Sequence, residues 1–360
     1  MAGLSAPNTD SDCPNVTNTR ANLARLIHDH FPAAGIDHAF AYGSGVLPQP
    51  GLYPGGGNQT PMVDLLFVVR EPVDWHTANI SMNPHHYAMP MSMFGPSAIH
   101  WASQNIGSGV YFNAMIDLPA PGIGSKGLGS VKIKYGVAST DSVLRDLIDW
   151  SSLYVAGRLH KPVETLVEDQ GIEEAQEQNL SSAVRTAIML LLERNAARLV
   201  RTNEVSFSAS QLFHTICSLS YTGDVRVGIA EDAKKVDRIL DGSQDRLLDM
   251  YRPILEQEIA RGTMSLESSG EGCIDGGVST LSLGSLGPRF RVNVSNSDDL
   301  TASLPAALRK KMTDQGCTLH GALASTVRHS SARQAALGLI SAGPTKAALY
   351  VLQKLKKMPR

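Results

Sequence analysis

The sequence predicts an α/β fold, a mixed sheet with flanking helices, and two apolar segments near the N-terminus carry that prediction. The first ends at Tyr42 and runs into a Gly-Ser-Gly turn at positions 43–45. The second is Met62–Val69, an apolar run with one acidic residue, Asp64, near its start. Burying a carboxylate costs several kcal/mol unless it is paired or bound to a metal. Asp64 therefore needs a partner in such a strand.

The turn and the acidic strand together are typical of a nucleotidyltransferase active site. A tight turn presents backbone N–H groups and a hydroxyl to triphosphate oxygens, and a neighbouring carboxylate holds the Mg²⁺ that neutralises them. We therefore predict that Gly43, Ser44 and Gly45 cradle phosphate and that Asp64 binds metal. The alternative interpretation is that Asp64 lies at a strand end and pairs with Arg70 or another base.

The other elements of the first predicted domain, residues 18–160, follow from periodicity and turn residues. Apolar residues at helical spacing predict a helix over Asn18–His30. Pro72 suits the start of a second helix and Asp74 suits its cap. Further elements are predicted as a Gly/Pro-rich loop at Pro48–Pro61, a strand at Val110–Ile116, a loop at Leu118–Gly129, a strand at Val131–Val137 and a helix at Ser142–Leu159.

From residue 161 the pattern becomes mostly helical, and we predict a winged-helix-like second domain over residues 161–264. Its predicted elements are helices at Leu180–Val200, Ala209–Leu219, Glu231–Leu240 and Gln244–Glu256, with a short strand at Asp224–Ile229. Residues 265–303, densest in Ser and Gly over Ser265–Gly287, are predicted as a linker. Residues 304–360 are predicted as a C-terminal helical region with helices at Leu304–Met312, Ala332–Leu339 and Thr345–Lys357.

Composition limits the class of protein. Hydrophobic residues make up 42% of the chain and charged residues 18%, which is typical of a globular protein. With a formal net charge of −2, the chain lacks the excess of basic residues that is typical of nucleic-acid-binding proteins. Nucleic acid is therefore excluded as a partner. No uninterrupted apolar run approaches the ~20 residues that span a bilayer. Any membrane contact is therefore expected to be peripheral.

One predicted helical face carries unusual polar residues. His76, Asn79 and Asn83 fall at i, i+3 and i+7, which places them on one face. Lys and Glu are the usual residues of a solvated helical face. The functional interpretation is that His76 and Asn79 contact the base or ribose of a nucleotide or pack over the active site. An ordinary solvated stripe is the alternative.

Charged residues elsewhere complete the residue-based prediction. Lys132 and Lys134 alternate with apolar residues, which places both on one strand face. In related folds that strand often faces the nucleotide, so Lys134 is predicted as a triphosphate counter-charge. Nucleotidyltransferases usually carry a second carboxylate two residues after the first, where this chain has Leu66. Because one Asp is a poor cage for Mg²⁺, another carboxylate is expected from elsewhere.

A series of uncommon residues runs from about Phe40 to the C-terminus: Trp75-His76, Asn79, Asn83, His86-Tyr87, Gln104-Asn105, Gly107–Asn113, Ile133–Val137, Leu147–Trp150, Leu153–Leu159, Lys161–Val163, Tyr221–Arg226 and Glu231-Asp232. In this order the set closely resembles the mitochondrial phosphatidate cytidylyltransferase family, with the weakest likeness over 265–314. The resemblance implies that CTP and phosphatidic acid give CDP-diacylglycerol and pyrophosphate, with Mg²⁺ as cofactor, for cardiolipin and phosphatidylglycerol synthesis.

The resemblance also implies a set of site residues. Asp224 becomes the expected second metal carboxylate, with Asp117 as the second choice, and Asp64, Asp224 and Lys134 become the expected catalytic residues. The residues expected to bind the nucleotide are Gly43, Ser44, Gly45, His76, Asn79, Tyr135, Arg158 and Lys161. Arg158 and Lys161 have an alternative role, since cations also complement a helix C-terminus. Arg226 is expected to hold Asp224 in place.

The expected location is the matrix side of the mitochondrial inner membrane, and it comes only from the resemblance. Residues 1–19 have two Asp and no basic residue, so they lack the pattern of a presequence. An apolar stripe beside lysines in Thr345–Lys357 predicts an interfacial helix on anionic lipid. The alternative for this segment is a helix docked on its own domain. The alternatives for the function are a non-enzymatic import maintenance factor and a nucleotidyltransferase for a soluble acceptor.

Overall fold

The computed structural model describes residues 16–47, 62–119, 129–228, 232, 234–267, 289–293 and 297–357. The predicted loops 48–61 and 118–129 and the predicted linker 265–303 lie largely outside these residues. The helices are α1 (Val16–His30), α2 (Pro72–Met82), α3 (Met89–Asn105), α4 (Thr140–Asp149), α5 (Ala156–Leu159), α6 (Gln170–Arg194), α7 (Ala196–Thr202), α8 (Ala209–Ser218), α9 (Lys235–Ala260), α10 (Ser297–Ala302), α11 (Ala306–Gln315) and α12 (Leu319–Lys357).

A five-stranded mixed sheet forms the first half of the protein. Its strands are β1 (Ile36–Tyr42), β2 (Val63–Val69), β3 (Val110–Pro119), β4 (Ser130–Ser139) and β5 (Glu164–Val167). Their spatial order is β3-β4-β2-β1-β5. The β2–β4 pair is parallel and the other pairs are antiparallel. The α/β class and the mixed sheet with flanking helices are therefore confirmed.

The sheet separates two apolar cores because side chains alternate between its faces. On one face Tyr42 and Leu66 pack with residues of α4 and α6. On the other face Leu65, Phe67 and Tyr135 pack with residues of α1 and α2. Any two neighbouring positions of a strand, such as Lys134 and Tyr135, therefore belong to opposite sides of the sheet.

The helix predicted over Ser142–Leu159 is interrupted, so that prediction is wrong. α4 ends at Asp149, the next residue Trp150 is left-handed with φ 55°, and α5 begins at Ala156. The Asp146 carboxylate accepts hydrogen bonds from the backbone N–H groups of Ser152, Leu153, Val155 and Ala156, at 2.7–3.0 Å. These bonds replace the helical ladder and hold a tight corner.

Other predicted boundaries change in the structure. Asp74 lies in the first turn of α2, and Glu71 occupies the cap position without a side-chain cap bond, so the predicted Asp74 cap is wrong. The two predicted helices 231–240 and 244–256 lie along α9, which begins at Lys235, and the non-helical backbone at Ser243 (φ −143°) separates them where the sequence predicts a break. The predicted helices at Ala332–Leu339 and Thr345–Lys357 are parts of α12. The helix predicted at Leu180–Val200 begins earlier, at Gln170, where Asp169 caps α6.

The second half contains a small sheet that the sequence did not predict. Strands β6 (Glu204–Ser208), β7 (Ser265–Leu266) and β8 (Arg289–Asn293) pair in the order β6-β8-β7. The strand predicted at Asp224–Ile229 is wrong, because residues 222–228 form turns with one bridge residue. Gly223 has φ +82°, a conformation that favours a turn over a strand.

The first part of α12 is packed into the body of the protein. Leu319, Leu323 and Val327 are buried in the main apolar core. Further along, Leu337 is buried with residues of α3 and β3. Among the described residues, no helix has the length and hydropathy needed to cross a membrane.

Candidate functional site

Three neighbouring strands place polar side chains in one row across the sheet. Tyr42 on β1 is the register partner of Asp64 on β2, and Asp64 is the register partner of Lys134 on β4. The Lys134 Nζ lies 4.0 Å from the Asp64 Oδ1, and both side chains are part-exposed, at 19% and 24%. The predicted Asp64 and Lys134 therefore come together on one face.

The predicted glycine turn lies directly beside Asp64. Gly43 has φ +82°, and a Cβ there would lie 3.1 Å from the Asp64 Oδ2. A Cβ on Gly45 would lie 2.3 Å from the Met62 carbonyl oxygen, so the turn packs closely on the start of β2. Ser44 stands between the two glycines. The turn thus brings backbone atoms beside the Asp64 carboxylate, and its role as a phosphate cradle stays a prediction.

Arg158 extends this row away from the sheet. Its guanidinium carbon lies 4.3 Å from the Tyr42 ring centroid and 5.4 Å from that of Tyr154. The Arg158 Nε and the Tyr42 hydroxyl are buried and have no hydrogen-bond partner among the described residues. Burial raises the pKa of Tyr42 to about 12, so this hydroxyl stays protonated. The corner held by Asp146 is what brings Tyr154 and Arg158 here, since both follow it directly.

A basic cavity opens beside Arg158. It is lined by Leu153, Tyr154, Arg158, Lys161, Ser220, Tyr221, Asp224, Arg226, Lys235, Val327, Ser330 and Ser331. Four of these side chains are basic and one is acidic. This balance suits a bound anion. The predicted Arg158, Lys161 and Asp224 therefore meet in one cavity, although they come from separate parts of the chain.

Lys161 has an altered protonation equilibrium in this cavity. Its Nζ donates a 2.7 Å hydrogen bond to the Ser220 hydroxyl. Burial is the main cause that lowers the pKa of Lys161 to about 7, and the charges of Arg158 and Lys235 lower it further. Lys161 therefore loses its proton more readily than a lysine in water, and a bound anion favours the charged form.

Asp224 is held by Arg226, as the sequence predicted. The Arg226 Nη2 donates to the Asp224 Oδ2 at 2.6 Å, and the Arg226 Nε donates to the Oδ1 at 3.0 Å. The surrounding turn is fixed on α12, because a Cβ on Gly223 would lie 2.6 Å from the Ala324 carbonyl oxygen. In addition, the Val225 N–H donates to the Ser331 hydroxyl. The role of Asp224 as a metal ligand stays a prediction.

Asp117, the second choice for that carboxylate, lies elsewhere. Both of its oxygens accept hydrogen bonds from Lys132, at 2.6 and 2.8 Å, and its side chain is 64% exposed. Within the ranges that the structure describes, no group of three or more His, Cys, Asp or Glu side chains is arranged to hold a metal.

His76, Asn79 and Tyr135 lie on the opposite side of the sheet from Asp64 and Lys134. Their predicted contact with the nucleotide is therefore not supported. All three are at most 1% exposed. The Tyr135 hydroxyl accepts from the Asn79 and Asn113 amides at 2.9 Å, and the Tyr87 hydroxyl bonds to His76 and Asn79 at 2.8 Å. The physical reason is strand alternation, which turns Tyr135 away from the face of Lys134.

Several residues of the site were missed from sequence. Tyr42 directly precedes the Gly43 turn, and this position is the signal from which its place in the site could have been predicted. Tyr154 falls within the helix predicted over Ser142–Leu159, which the structure interrupts. Ser220 and Lys235 carry no local signal, because only the tertiary fold brings α9 and the turn at Leu219–Tyr221 to the cavity.

The geometry thus combines a glycine turn, a carboxylate and a basic cavity, which is a suitable arrangement for a polyphosphate. Comparison with known proteins gives a family for this chain. The family model described as "Phosphatidate cytidylyltransferase, mitochondrial" matches residues 23–357.

Individual proteins of that name are similar along most of their length. The Mus musculus protein is 34% identical over 344 residues, which cover 93% of this chain and 94% of the relative. The Xenopus laevis protein is 34% identical over 349 residues, with 93% and 94% covered. The Drosophila melanogaster protein is 38% identical over 245 residues, with 66% of each chain covered. The chain belongs to the mitochondrial phosphatidate cytidylyltransferase family.

Proposed function

We propose that this chain is a phosphatidate cytidylyltransferase, which converts CTP and phosphatidate into CDP-diacylglycerol and pyrophosphate. The family supplies the activity. The observation that carries its location is the contact of the Gly43 turn with Asp64, next to a basic cavity. An anionic triphosphate with a bound cation needs these three features in one place.

The reaction is a single displacement at phosphorus. A phosphate oxygen of phosphatidate attacks the α-phosphorus of CTP and forms a new P–O bond. The bond from that phosphorus to the oxygen leading to the β-phosphate breaks, and pyrophosphate leaves with the electron pair. The attacking oxygen is already ionised, so no general base is needed. Positioning and charge neutralisation are therefore the main tasks of the protein.

Asp64 fits the requirements of a Mg²⁺ ligand. Its carboxylate is part-exposed and borders the glycine turn. Mg²⁺ is commonly held by one or two carboxylates together with substrate phosphates and water. When bound, it neutralises phosphate charge. We propose Asp224 as the second carboxylate, which keeps its bonds to Arg226 because each oxygen has two lone pairs.

The basic residues have separate roles in this proposal. Lys134 and Arg158 flank Asp64 and stabilise the charge that develops on the triphosphate. Lys161 and Lys235 line the cavity and bind a terminal phosphate. Their charges draw the anions into the cavity before any reaction occurs.

We also propose peripheral contact with an anionic membrane, because phosphatidate is a bilayer lipid. The relatives are named mitochondrial, and we propose the matrix side of the inner membrane, in support of cardiolipin synthesis. The apolar and basic residues of Thr345–Lys357 support an interfacial contact. Each Lys or Arg near such a surface contributes about 1 kcal/mol.

A reconstituted assay tests the activity. The purified full chain is mixed with labelled CTP, Mg²⁺ and vesicles that contain phosphatidate, and the lipid products are separated. We expect labelled CDP-diacylglycerol, with unlabelled CTP as an effective competitor. Formation of a labelled product from a soluble acceptor, with none from vesicles, would favour the alternative of a soluble-acceptor enzyme. Absence of both CTP binding and any labelled product would favour a non-enzymatic factor.

A further inference from the structure

An exposed apolar surface lies on α3, away from the candidate active site. Its members, here called the α3 surface, share high exposure: Met89 at 75%, Met93 at 79%, Phe94 at 72% and Trp101 at 58%. Exposed apolar clusters of this kind mark interaction sites on soluble proteins. None of these four residues lines the basic cavity.

The backbone of α3 makes this surface protrude. The helix is kinked at Gly95, which has φ 81° and ψ 176° and is followed by Pro96. A Cβ on Gly95 would meet no atom within 4 Å, so the corner is open on that side. Met93 and Phe94 stand immediately before this corner. The side chains of Met93 and Phe94 can therefore enter a lipid bilayer without any movement of the protein core.

The charge pattern around the α3 surface suits anionic lipid. No residue between Asp74 and Asp117 is Asp, Glu, Lys or Arg. α12, which packs on α3 through Leu337, has no Asp or Glu either. Its basic residues are Arg328, Arg333, Lys346, Lys354, Lys356 and Lys357. A helix without charged residues, packed on a helix whose charged residues are all basic, is complementary to a negatively charged bilayer.

α12 exposes an apolar residue beside its contact with α3. Leu337 is buried against Met91, Ile99 and Ala102. Ile340, which lies about 60° around the helix from Leu337, is 45% exposed. The two helices therefore present apolar side chains on adjoining elements, just before the stretch of α12 that we propose as interfacial.

We propose that the α3 surface, together with Ile340, inserts into a phosphatidate-containing bilayer as a second membrane contact beside the C-terminal end of α12. The proposal rests on the proposed peripheral contact and specifies its location. Met, Phe and Trp side chains suit this position, because Trp in particular favours the boundary between lipid and water. Two contacts would fix the orientation of the enzyme on the membrane, whereas one helix would leave it free to rotate.

Trp101 gives a direct spectroscopic test in the full chain. The other two tryptophans, Trp75 and Trp150, are 4% and 0% exposed, so Trp101 dominates any change caused by solvent or lipid. We expect vesicles of phosphatidylcholine and phosphatidate to shift the emission to shorter wavelength and brominated lipid to quench it. The variant Trp101→Phe should lose both signals. Protein that floats with vesicles but shows neither signal would overturn the proposal.

Substitutions on the α3 surface test its contribution to binding. We expect Phe94→Ser to lower the vesicle partition coefficient about tenfold, because burial of one aromatic side chain is worth at least that factor. The matched control is Val200→Ser on α7, where an 88% exposed valine is replaced. Equal flotation of both variants and the unchanged chain would overturn the proposal.

Two further measurements distinguish insertion into lipid from a role in catalysis and from contact between copies of the chain. With phosphatidate of short acyl chains dissolved as monomers, Phe94→Ser should retain full activity, because the substitution is remote from the cavity. If Phe94→Ser instead converts a stable dimer into a monomer, the surface is a contact between copies and the proposal is wrong. If the unchanged chain does not bind vesicles at all, both this proposal and the peripheral contact fail, while the activity on monomeric substrate still stands.

Discussion

Asp64 and Lys134 are register partners on neighbouring parallel strands, and the Lys134 Nζ lies 4.0 Å from the Asp64 Oδ1. The carboxylate is thus balanced by a cation on one side and bordered by the Gly43 turn on another. This relationship explains how a charged residue is tolerated in an otherwise apolar strand. It also leaves Asp64 part-exposed and able to meet a ligand.

Replacement of Asp64 tests the metal role. We expect Asp64→Asn to lower cytidylyl transfer by about 100-fold or more, because charge stabilisation of a phosphoryl-type transition state is lost. The fold should persist, since asparagine has the same shape, and the thermal midpoint checks this. Asp117→Asn is the matched control, as it removes an exposed carboxylate paired with Lys132. Full activity in folded Asp64→Asn would remove this residue from the site.

Replacement of Gly43 tests the phosphate cradle. We expect Gly43→Ala to weaken CTP binding, because φ +82° strains any side chain and its Cβ would press on the Asp64 carboxylate. Gly228→Ala is the control, since Gly228 has φ +81° with no atom near its Cβ. The two variants share the backbone strain, so only Gly43→Ala should change the dissociation constant measured by calorimetry. Equal affinities would contradict the cradle.

Asp224 either binds metal or only positions Arg226, and a Mg²⁺ titration distinguishes the roles. If it is a ligand, Asp224→Asn should raise the Mg²⁺ concentration needed for half-maximal rate. If it acts only on Arg226, the maximal rate falls while that concentration is unchanged. We expect the first result. Arg226→Lys keeps one charge near Asp224 but loses the bidentate bonds, and it is the comparison variant.

The lowered pKa of Lys161 predicts a pH dependence of CTP binding. With a pKa near 7, Lys161 is charged below this pH and loses its charge as the pH rises through it. We therefore expect CTP affinity to fall between pH 6 and 8 relative to Lys161→Arg, whose side chain stays charged. The ratio of the two affinities cancels the titration of CTP itself. A constant ratio across this range would contradict a titration of Lys161 that is linked to CTP binding.

Replacement of Tyr135 tests the buried polar network that its hydroxyl forms with Asn79 and Asn113. We expect Tyr135→Phe to lower the free energy of unfolding by about 1–3 kcal/mol, because the amides of Asn79 and Asn113 lose their buried acceptor. CTP affinity should be unchanged, and urea denaturation and calorimetry measure the two quantities. A large loss of affinity with normal stability would restore Tyr135 to the nucleotide site.

The sequence was most informative where local pattern and function coincide. The Gly43 turn and the strand of Asp64 were both identified, because a carboxylate in an apolar run next to a Gly-Ser-Gly turn is an uncommon combination. The corner at Asp146 was missed, since four backbone N–H groups find one carboxylate only in the folded chain. His76 was predicted near the nucleotide but is buried beside the Tyr87 hydroxyl, and the reason is related. Helical spacing shows which residues share a face but not what that face meets.

The row of Tyr42, Asp64 and Lys134 is built from strands that are distant in the chain. The β2–β4 pair is parallel, so its pairing closes the long intervening segment that contains α2, α3 and β3. Closure of such a loop costs conformational entropy before any contact repays it, and long-range pairing of this kind slows folding. A partly folded chain consequently has no complete nucleotide site, and CTP selectively stabilises molecules whose whole sheet has assembled.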